Sequence, residues 1–340
     1  MLGVKVRKER AENIKRYLAR QKLMDINYKL ISSNEFIYFP IRHPSTQNRR
    51  YILGKKAELV DAVFKRSGAK SGYRELLRKK LGSQYGKSTR SYDIIGSIAL
   101  IESKGTKVAR KTAEVIMGLN RNVRTVLSKG PVKGRYRIRK YTHVAGERRF
   151  DTIYNENGAS FKIDVRRSFI STRLAFERSR INDLVKDHET VVVMFAGVGP
   201  FAIEIAKRHK KAGVMAIELN REAYGYLLEN IKLNKTLNVE ARLGDVKRVA
   251  QKYPGIADRI VMPLPKTAHD FLGSVLKMAK EKCIVHYYAF GKRDSAFDDN
   301  IRLLREFFGK NGKRIRVLFK RVVKTYSATE IEVVIDFLLY

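Results

Sequence analysis

The chain has almost no cysteine. Cys283 stands alone among 340 residues, which excludes an internal disulfide and a cysteine-based zinc site. Tryptophan is absent, and six histidines (His43, His143, His188, His209, His269, His286) are scattered with no pair at metal-ligand spacing, so no metal is expected. No apolar run reaches the roughly 18 residues of a membrane span, and no charged-then-apolar leader opens the sequence. A soluble, cytoplasmic protein is the expectation. Acid is scarce as well: 34 Asp and Glu face 71 Lys and Arg, a formal charge of +37. Net charge does not decide a fold, but it selects partners, and this excess selects a polyanion. The basic residues run along the whole chain rather than a tail, as in a folded nucleic-acid binder. One Cys, no Trp and abundant Lys, Arg and Glu are also the usage of a hyperthermophile.

What is present is organised around residues 191–201, reading VVVMFAGVGPF. Apolar residues enter, Gly197 and Gly199 follow two apart, and helical spacing begins at once with Phe201, Ile203 and Ile205. A short unbroken apolar run is the pattern of a buried parallel strand. Glycine after it lets the backbone approach a ligand. A second run, 213–217, ends on Glu218, about 20 residues on, where doubly wound folds hold a ribose hydroxyl pair. A third, 241–243, ends in Gly244 and Asp245. The last glycine of G-x-G-x-x-G is missing, with Ala202 in its place, so a nucleoside without pyrophosphate fits better than NAD. That points to S-adenosylmethionine. The expected cofactor set is Phe195, Gly197, Val198 and Gly199, then Glu218 and Leu219, then Asp245 and Val246, with Pro263 after the fourth strand. A tight turn in an ordinary α/β domain accounts for the two glycines alone; three such strand ends together favour a cofactor.

Along the chain, residues 1–66 read as a small module. A helix over 8–21 carries Ala11, Ile14 and Leu18 on one face. Strand-like runs follow at 28–31 and 35–41, and Leu59, Val60, Val63 and Phe64 mark another helix. Residues 67–90, rich in Gly, Ser and basic side chains around Leu76, Leu77 and Leu81, read as a basic flexible linker holding a short helix. A second α+β module, 91–168, opens with one strand over 92–101, then a helix at 107–119 and four strand-like runs. Within 131–150 seven basic residues face one acid. In a strand Arg135, Arg137 and Arg139 share a face, which suits phosphate. Residues 169–340 alternate strand and helix through five βα units and close with two strands joined directly. That is the layout of a class I, Rossmann-like methyltransferase domain in the α/β class.

Five segments carry a family resemblance: MFAGVGPF at 194–201, STRLAFER at 171–178, PLPKTAH at 263–269, GRYR at 134–137 and HYY at 286–288. In this order they resemble the archaeal and eukaryotic tRNA (guanine-37, N1) methyltransferases over essentially the whole chain. Two departures matter. Val193 stands where the family usually has an acid, which leaves Glu218 and Asp245 to hold the nucleoside. Pro263, Leu264 and Pro265 replace the commoner N-L-P. They resemble the archaeal branch that acts twice on tRNA-Phe, at N1 of G37 and then at C7 of the tricyclic wyosine precursor. A proline ring in place of an amide removes hydrogen bonds to a base edge and adds rigid apolar surface.

The resemblance implies Glu177 as the base that takes the N1 proton and Arg137 as the group that stabilises charge on O6. It sets Pro263 and Pro265 beside the target base and Arg135, Arg139, Arg173 and Lys266 on the RNA. The N-terminal module would reach the tRNA elbow, and a monomer is expected. From the residues alone, Glu177 is half of an Arg173–Glu177 helix pair at i, i+4. Arg173 is expected to orient Glu177 or contact phosphate, and Thr267 to cap the following helix. His286 and Tyr287 read first as strand core and second as site residues. Three alternatives stay open: aminocarboxypropyl transfer from the same cofactor, methylation of G37 alone, and RNA binding without catalysis.

Overall fold

The polypeptide starts in a strand that the sequence reading leaves unmarked. β1 (Leu2–Arg7) leads directly into α1 (Lys8–Arg20), which buries Ala11, Ile14 and Leu18 as their spacing predicts. β2 (Ile31–Ser32), β3 (Phe36–Pro40), α2 (Thr46–Gly54), β4 (Glu58–Asp61) and α3 (Tyr73–Leu81) follow. The computed structural model describes every residue except 22, 26–27, 34, 43, 65–71, 90, 103–104, 134–137 and 169, and no side chain at 132, 133 or 138. Met1–Gly82 forms one compact unit and Ser83–Tyr340 the other.

The first unit carries an antiparallel sheet of order β2-β3-β1-β4. Its core includes Val4, Val6, Leu18, Phe39 and Ile52. The helix expected around Leu59 to Phe64 is instead β4: Leu59 pairs with Val4 and Val60 with Gly3. A helix of so few residues cannot repay its own nucleation, whereas the edge of β1 offers ready backbone partners. The helix lies upstream, at α2, where the Ser45 side chain accepts the Asn48 N–H at 3.3 Å. The short helix expected within 67–90 is α3, followed by a 3₁₀ turn over Gly82–Lys87. Positions 67–71 and 90 of that stretch lie outside the described residues.

In the second unit β5 (Asp93–Ile95) and β6 (Ile98–Ile101) form a hairpin rather than the single strand expected over 92–101. Gly96 makes the reversal at φ +56°, and a Cβ there would lie 2.3 Å from the Ile153 carbonyl oxygen. α4 (Thr106–Leu119) connects to β7 (Thr125–Lys133), parallel to β6, and β8 (Ile138–Gly146) returns antiparallel to β7. β9 (Asp151–Glu156) and β10 (Ala159–Asp164) make a second hairpin.

The remaining elements are α5 (Ala175–Leu184), β11 (Thr190–Met194), α6 (Pro200–Arg208), β12 (Gly213–Glu218), α7 (Arg221–Asn234), β13 (Val239–Leu243), α8 (Val246–Lys252), β14 (Ala257–Met262), α9 (Leu272–Met278), β15 (Ala279–Lys292), α10 (Ala296–Lys310), β16 (Ile315–Thr325) and β17 (Glu330–Leu339). The sheet order is β13-β12-β11-β14-β15-β17-β16. It is parallel through β15, and β17 runs antiparallel to both its neighbours. This is the class I methyltransferase arrangement. Strand residues alternate faces, so Val191 and Val193 enter one core and Val192 and Met194 the other. The first core continues through Phe161 to Ile95 and Leu127, so strands on both sides of position 168 share it. Asn230 and Asn234 of α7 tie β10 to it by accepting the Lys162 N–H at 2.7 Å and the Ser160 N–H at 2.9 Å.

Candidate active site

Parallel strands present their carboxyl ends along one edge, where ligands of such sheets bind. The chain leaves β11 through three left-handed residues: Phe195 at φ +58°, Gly197 at +60° and Gly199 at +95°. At Phe195 this backbone costs about 1–3 kcal/mol. It is held by the Ala196 N–H, which donates to the Ile217 carbonyl at 2.8 Å, and by edge packing of the Phe195 ring on Phe271 at 4.7 Å. Gly199 precedes α6, with Pro200 at its first turn. A Cβ on Gly199 would lie 2.6 Å from Leu227 and 2.8 Å from Ile203, both fully buried.

Glu218 closes β12 and locks that loop. Its Oε2 accepts the Gly197 N–H and its Oε1 the Asn220 N–H, each at 2.7 Å. Burial pushes the carboxyl above the usual carboxylate range, opposed by the N–H groups of Asn220, Gly197 and Leu219. The carboxylate keeps acceptor capacity beyond these bonds, as an acceptor of ribose hydroxyls requires. Asp245 caps α8, accepting the Lys247 N–H at 2.9 Å. With Leu219, Leu243, Gly244, Arg248 and Tyr253 it lines a cavity of about 630 Å³, within the size range of small-ligand sites. Close backbone approach, an acid for ribose and an adjoining half-apolar cavity fit S-adenosylmethionine. Of the expected cofactor set only Leu219 and Asp245 line this cavity, and Val198 and Val246 are buried. Val193, where the family resemblance expects an acid, is fully buried between Ala216 and Val261 and faces the core.

Glu177 lies in the first turn of α5 and is 1% exposed. A buried carboxylate must be paired. Its Oε2 accepts Arg180 Nε at 3.0 Å and the Tyr288 hydroxyl at 3.1 Å. Its Oε1 has Arg321 Nη1 at 3.3 Å, a charge contact without hydrogen-bond alignment, and is left with no donor. An oxygen left without a donor in a buried carboxylate calls for a reason. Burial, followed by the Glu177 charge, pushes the Tyr288 hydroxyl well above its ordinary range, so it stays a donor.

The expected Arg173–Glu177 pair does not form. Arg173 sits in a 3₁₀ turn over Thr172–Leu174, whose tighter winding breaks the i, i+4 alignment. Its guanidinium instead meets Asp93 at 3.1 Å. Asp93 also receives Lys129 at 2.5 Å, and the two cations outweigh burial to hold its carboxyl below the usual range.

Beyond β14, Pro263, Leu264 and Pro265 are half-buried and Lys266 is exposed. The Pro265 carbonyl accepts the Phe290 N–H at 3.3 Å, so it is tied to β15 rather than held out for a base. Thr267 makes no side-chain cap; a 3₁₀ turn over Ala268–Phe271 follows it, and its carbonyl takes the Asp270 N–H at 3.1 Å. Arg139 donates to the Gly130 carbonyl at 3.2 Å and, with Lys87, Thr89, Glu102 and Lys129, lines a second cavity of about 670 Å³. Arg135 and Arg137 lie outside the described residues. His286 and Tyr287 belong to the core. Arg180, Arg321 and Asp336 escaped the sequence reading. The one signal for them is an acid, Asp336, inside the otherwise apolar strand VVIDFLL. Among the described residues no group of side chains is arranged to hold a metal, and no helix is long and apolar enough to cross a membrane.

Three family models match the chain: a TRM5/TYW2 methyltransferase domain over residues 152–318, a tRNA methyltransferase 5 N-terminal domain over 3–47 and a TYW2 N-terminal domain over 73–149. The tRNA (guanine(37)-N(1))-methyltransferase Trm5b of Pyrococcus abyssi is 36% identical across 99% of this chain and 98% of its own length. The tRNA (guanine(37)-N(1))/4-demethylwyosine(37)-methyltransferase Taw22 of Nanoarchaeum equitans is 32% identical across 59% of this chain and 84% of its own. Among solved structures, the complex of aTrm5 and tRNALeu aligns with a TM-score of 0.70 and 33% identity, covering 99% of each chain.

Proposed function

From a chain that belongs to the TRM5/TYW2 methyltransferase family, we propose an enzyme that methylates N1 of guanosine 37 in tRNA and, in tRNA-Phe, also C7 of the tricyclic wyosine precursor. The observation that carries the first activity is the end-to-end likeness to a G37 N1-methyltransferase, N-terminal unit included. The second is supported by Pro263, whose ring gives a larger base an apolar, rigid neighbour, and by the double activity named for Taw22.

S-adenosylmethionine, the family's cofactor, supplies an electrophilic methyl group for an in-line displacement. The chain's own work is positioning and proton handling. Gly197 and Gly199 let the backbone come close, Glu218 accepts the ribose hydroxyls, and the cavity beside Asp245 takes the base of the nucleoside. Glu177 Oε1 withdraws the N1 proton, while Arg180 and Tyr288 keep Oε2 engaged. Arg137 stabilises the charge that collects on O6. Arg135, Arg139, Arg173 and Lys266 contact the RNA backbone, so binding weakens with salt. In this reading residues 1–66 hold the tRNA elbow, 67–90 link, 91–168 bind near the anticodon and 169–340 carry the chemistry, in a cytoplasmic monomer.

The test is product mass. Purified protein and S-adenosylmethionine are incubated with two tRNA-Phe substrates, one carrying G37 and one the tricyclic precursor. One added methyl on each is expected. Methyl on G37 alone removes the reading of Pro263. An aminocarboxypropyl group on the precursor, or no addition to either, overturns methyl transfer.

A further inference from the structure

Glu177 is the end of a buried chain of polar contacts that crosses the sheet. Arg180 is shared by two carboxylates. It gives Nε to Glu177 Oε2 at 3.0 Å, and Nη1 and Nη2 to Asp336 at 2.5 and 3.3 Å. Asp336, on β17, lies with its Oδ1 2.8 Å from His286 Nδ1 on β15, close in distance though bent in angle. His286 Nε2 is 2.9 Å from Arg259 Nη1. Arginine has no lone pair to offer, so this contact is a donation to Nε2, and the ring proton must sit on Nδ1, facing Asp336. Burial also drives the imidazole's pKa down, toward the neutral ring that this tautomer requires. Arg259 is itself clamped by both oxygens of Glu189, at 2.7 and 2.9 Å, and by the Leu184 carbonyl at 2.8 Å. Arg259, His286, Asp336 and Glu177 are all at most 2% exposed.

Such a network is expensive to bury and brings no obvious gain in stability over apolar packing. Its geometry has a consequence for the base instead. With Glu177 alone, the Arg180 guanidinium would turn its fork onto both carboxylate oxygens. Asp336 takes that fork, so Arg180 offers Glu177 one edge, and Oε1 keeps no hydrogen-bond donor.

We propose that Asp336, oriented by His286, is a positioning residue that holds Arg180 to a single edge of Glu177 and so sets the basicity of the proton acceptor. This rests on the reading of Glu177 as the base. The other groups facing Glu177 are Arg321 on β16, at 3.3 Å, and the Tyr288 hydroxyl on β15, at 3.1 Å. Among the described residues neither makes a hydrogen bond or ion pair with Asp336, whose charge reaches Tyr288 only through space, so the Asp336–Arg180 pair is the adjustable contact.

The test is the pH dependence of single-turnover methyl transfer to G37 tRNA in the full-length protein. Wild type is compared with Asp336→Asn, Arg180→Gln and, as control, Glu177→Gln. Releasing Arg180 from Asp336 strengthens its pull on Glu177, so the acid limb of D336N should move to lower pH by about one unit. Removing the guanidinium should move the R180Q limb to higher pH by a similar amount. Both shifts should leave tRNA affinity within about twofold of wild type, since Asp336 is buried and Arg180 is already committed to two carboxylates rather than to phosphate. A merely structural role would lower thermal stability in both variants and leave the limb in place. An unshifted limb in a folded D336N overturns the proposal. Should D336N fail to fold, the R180Q limb decides alone, with a rise expected and no shift or a fall overturning it. If E177Q retains wild-type rate, the base assignment itself fails; if E177Q is inactive and the limbs stay fixed, only the positioning role fails.

Discussion

The cofactor side and the base side of this site are assembled on opposite plans. Around Gly197 the protein uses backbone: left-handed turns, an N–H held by Glu218 from 21 positions away, and a glycine, Gly199, with no room for a side chain. Around Glu177 it uses buried charge gathered from afar, with Tyr288 111 positions along the chain and Arg180 reaching Asp336 across 156. Backbone geometry is made by the order of residues in one strand-turn-helix segment, whereas a charge network exists only once several strands have met. The two plans should fail differently. The loop should fail through strain and stability, and the network through rate and pH.

The base side is expected to give the largest single loss. Glu177→Gln keeps the shape and an acceptor for Arg180 but removes the proton acceptor. A fall of about 10²–10⁴-fold in the single-turnover rate is expected, with little change in tRNA binding. An equal fall in affinity and rate would mean that Glu177 holds the substrate rather than its proton. On the cofactor side, Gly199→Ala must place a Cβ against Leu227 and Ile203 from a φ of +95°. Backbone strain and overpacking together should cost about 2–5 kcal/mol, read as a lower denaturant midpoint. Wild-type stability in this variant would show that the turn relaxes freely and that no strain is stored there.

This contrast also explains what the sequence made visible. The strand-turn-helix around Gly197, the acid closing β12 and the seven-stranded alternation were legible because each is written in consecutive residues. β1 and β4 were not: Val4, Lys5, Val6 and Arg7 alternate but run straight into the helical pattern of α1, and β4 has only four residues and is defined by its pairing with β1. The hairpin at Gly96 was written in the sequence too, as Gly96 and Ser97 interrupting two short apolar runs, and only reading those runs as one strand concealed it. Asp336 carries a signal, an acid in an apolar strand, but its pairing with Arg180 is fixed only when β17 lies beside β15. Arg173 misled for a local reason, the 3₁₀ turn ahead of α5, which an i, i+4 rule assumes away.

A smaller effect separates anchoring from chemistry on the cofactor side. Glu218→Gln keeps one carbonyl oxygen for the Gly197 N–H and loses the charge that favours ribose hydroxyls. A charge-assisted hydrogen bond contributes about 1.5–3 kcal/mol, so cofactor affinity should fall by roughly 10–100-fold. Calorimetric titration with S-adenosylmethionine reads this directly. An unchanged affinity would remove Glu218 from the cofactor set and leave it a brace for the loop.

The smallest expected effect on activity tests whether buried charge in this helix is always functional. Beside Glu177, Arg178 points into a separate cluster, bonded to Glu156 and 3.4 Å from Glu204, with the Tyr154 hydroxyl also on Glu156. Burial, reinforced by Glu156 next to it, lifts the Glu204 carboxyl to about 8. A folded pKa above the unfolded one means that the folded state binds the extra proton. Stability from this group is therefore full in acid and is lost as pH rises from the ordinary carboxylate range through about 8. Glu204→Gln cannot lose that proton. The wild-type stability curve should fall relative to E204Q between pH 5 and 8 by at most about 1.4 kcal/mol per unit, while methyl-transfer rates of the two proteins keep the same acid limb. Parallel stability curves would show that Glu204 stays ionised against Arg178. A shifted rate limb would show that the two charge clusters on α5 communicate, and that the base side extends further into the core than Asp336 and His286.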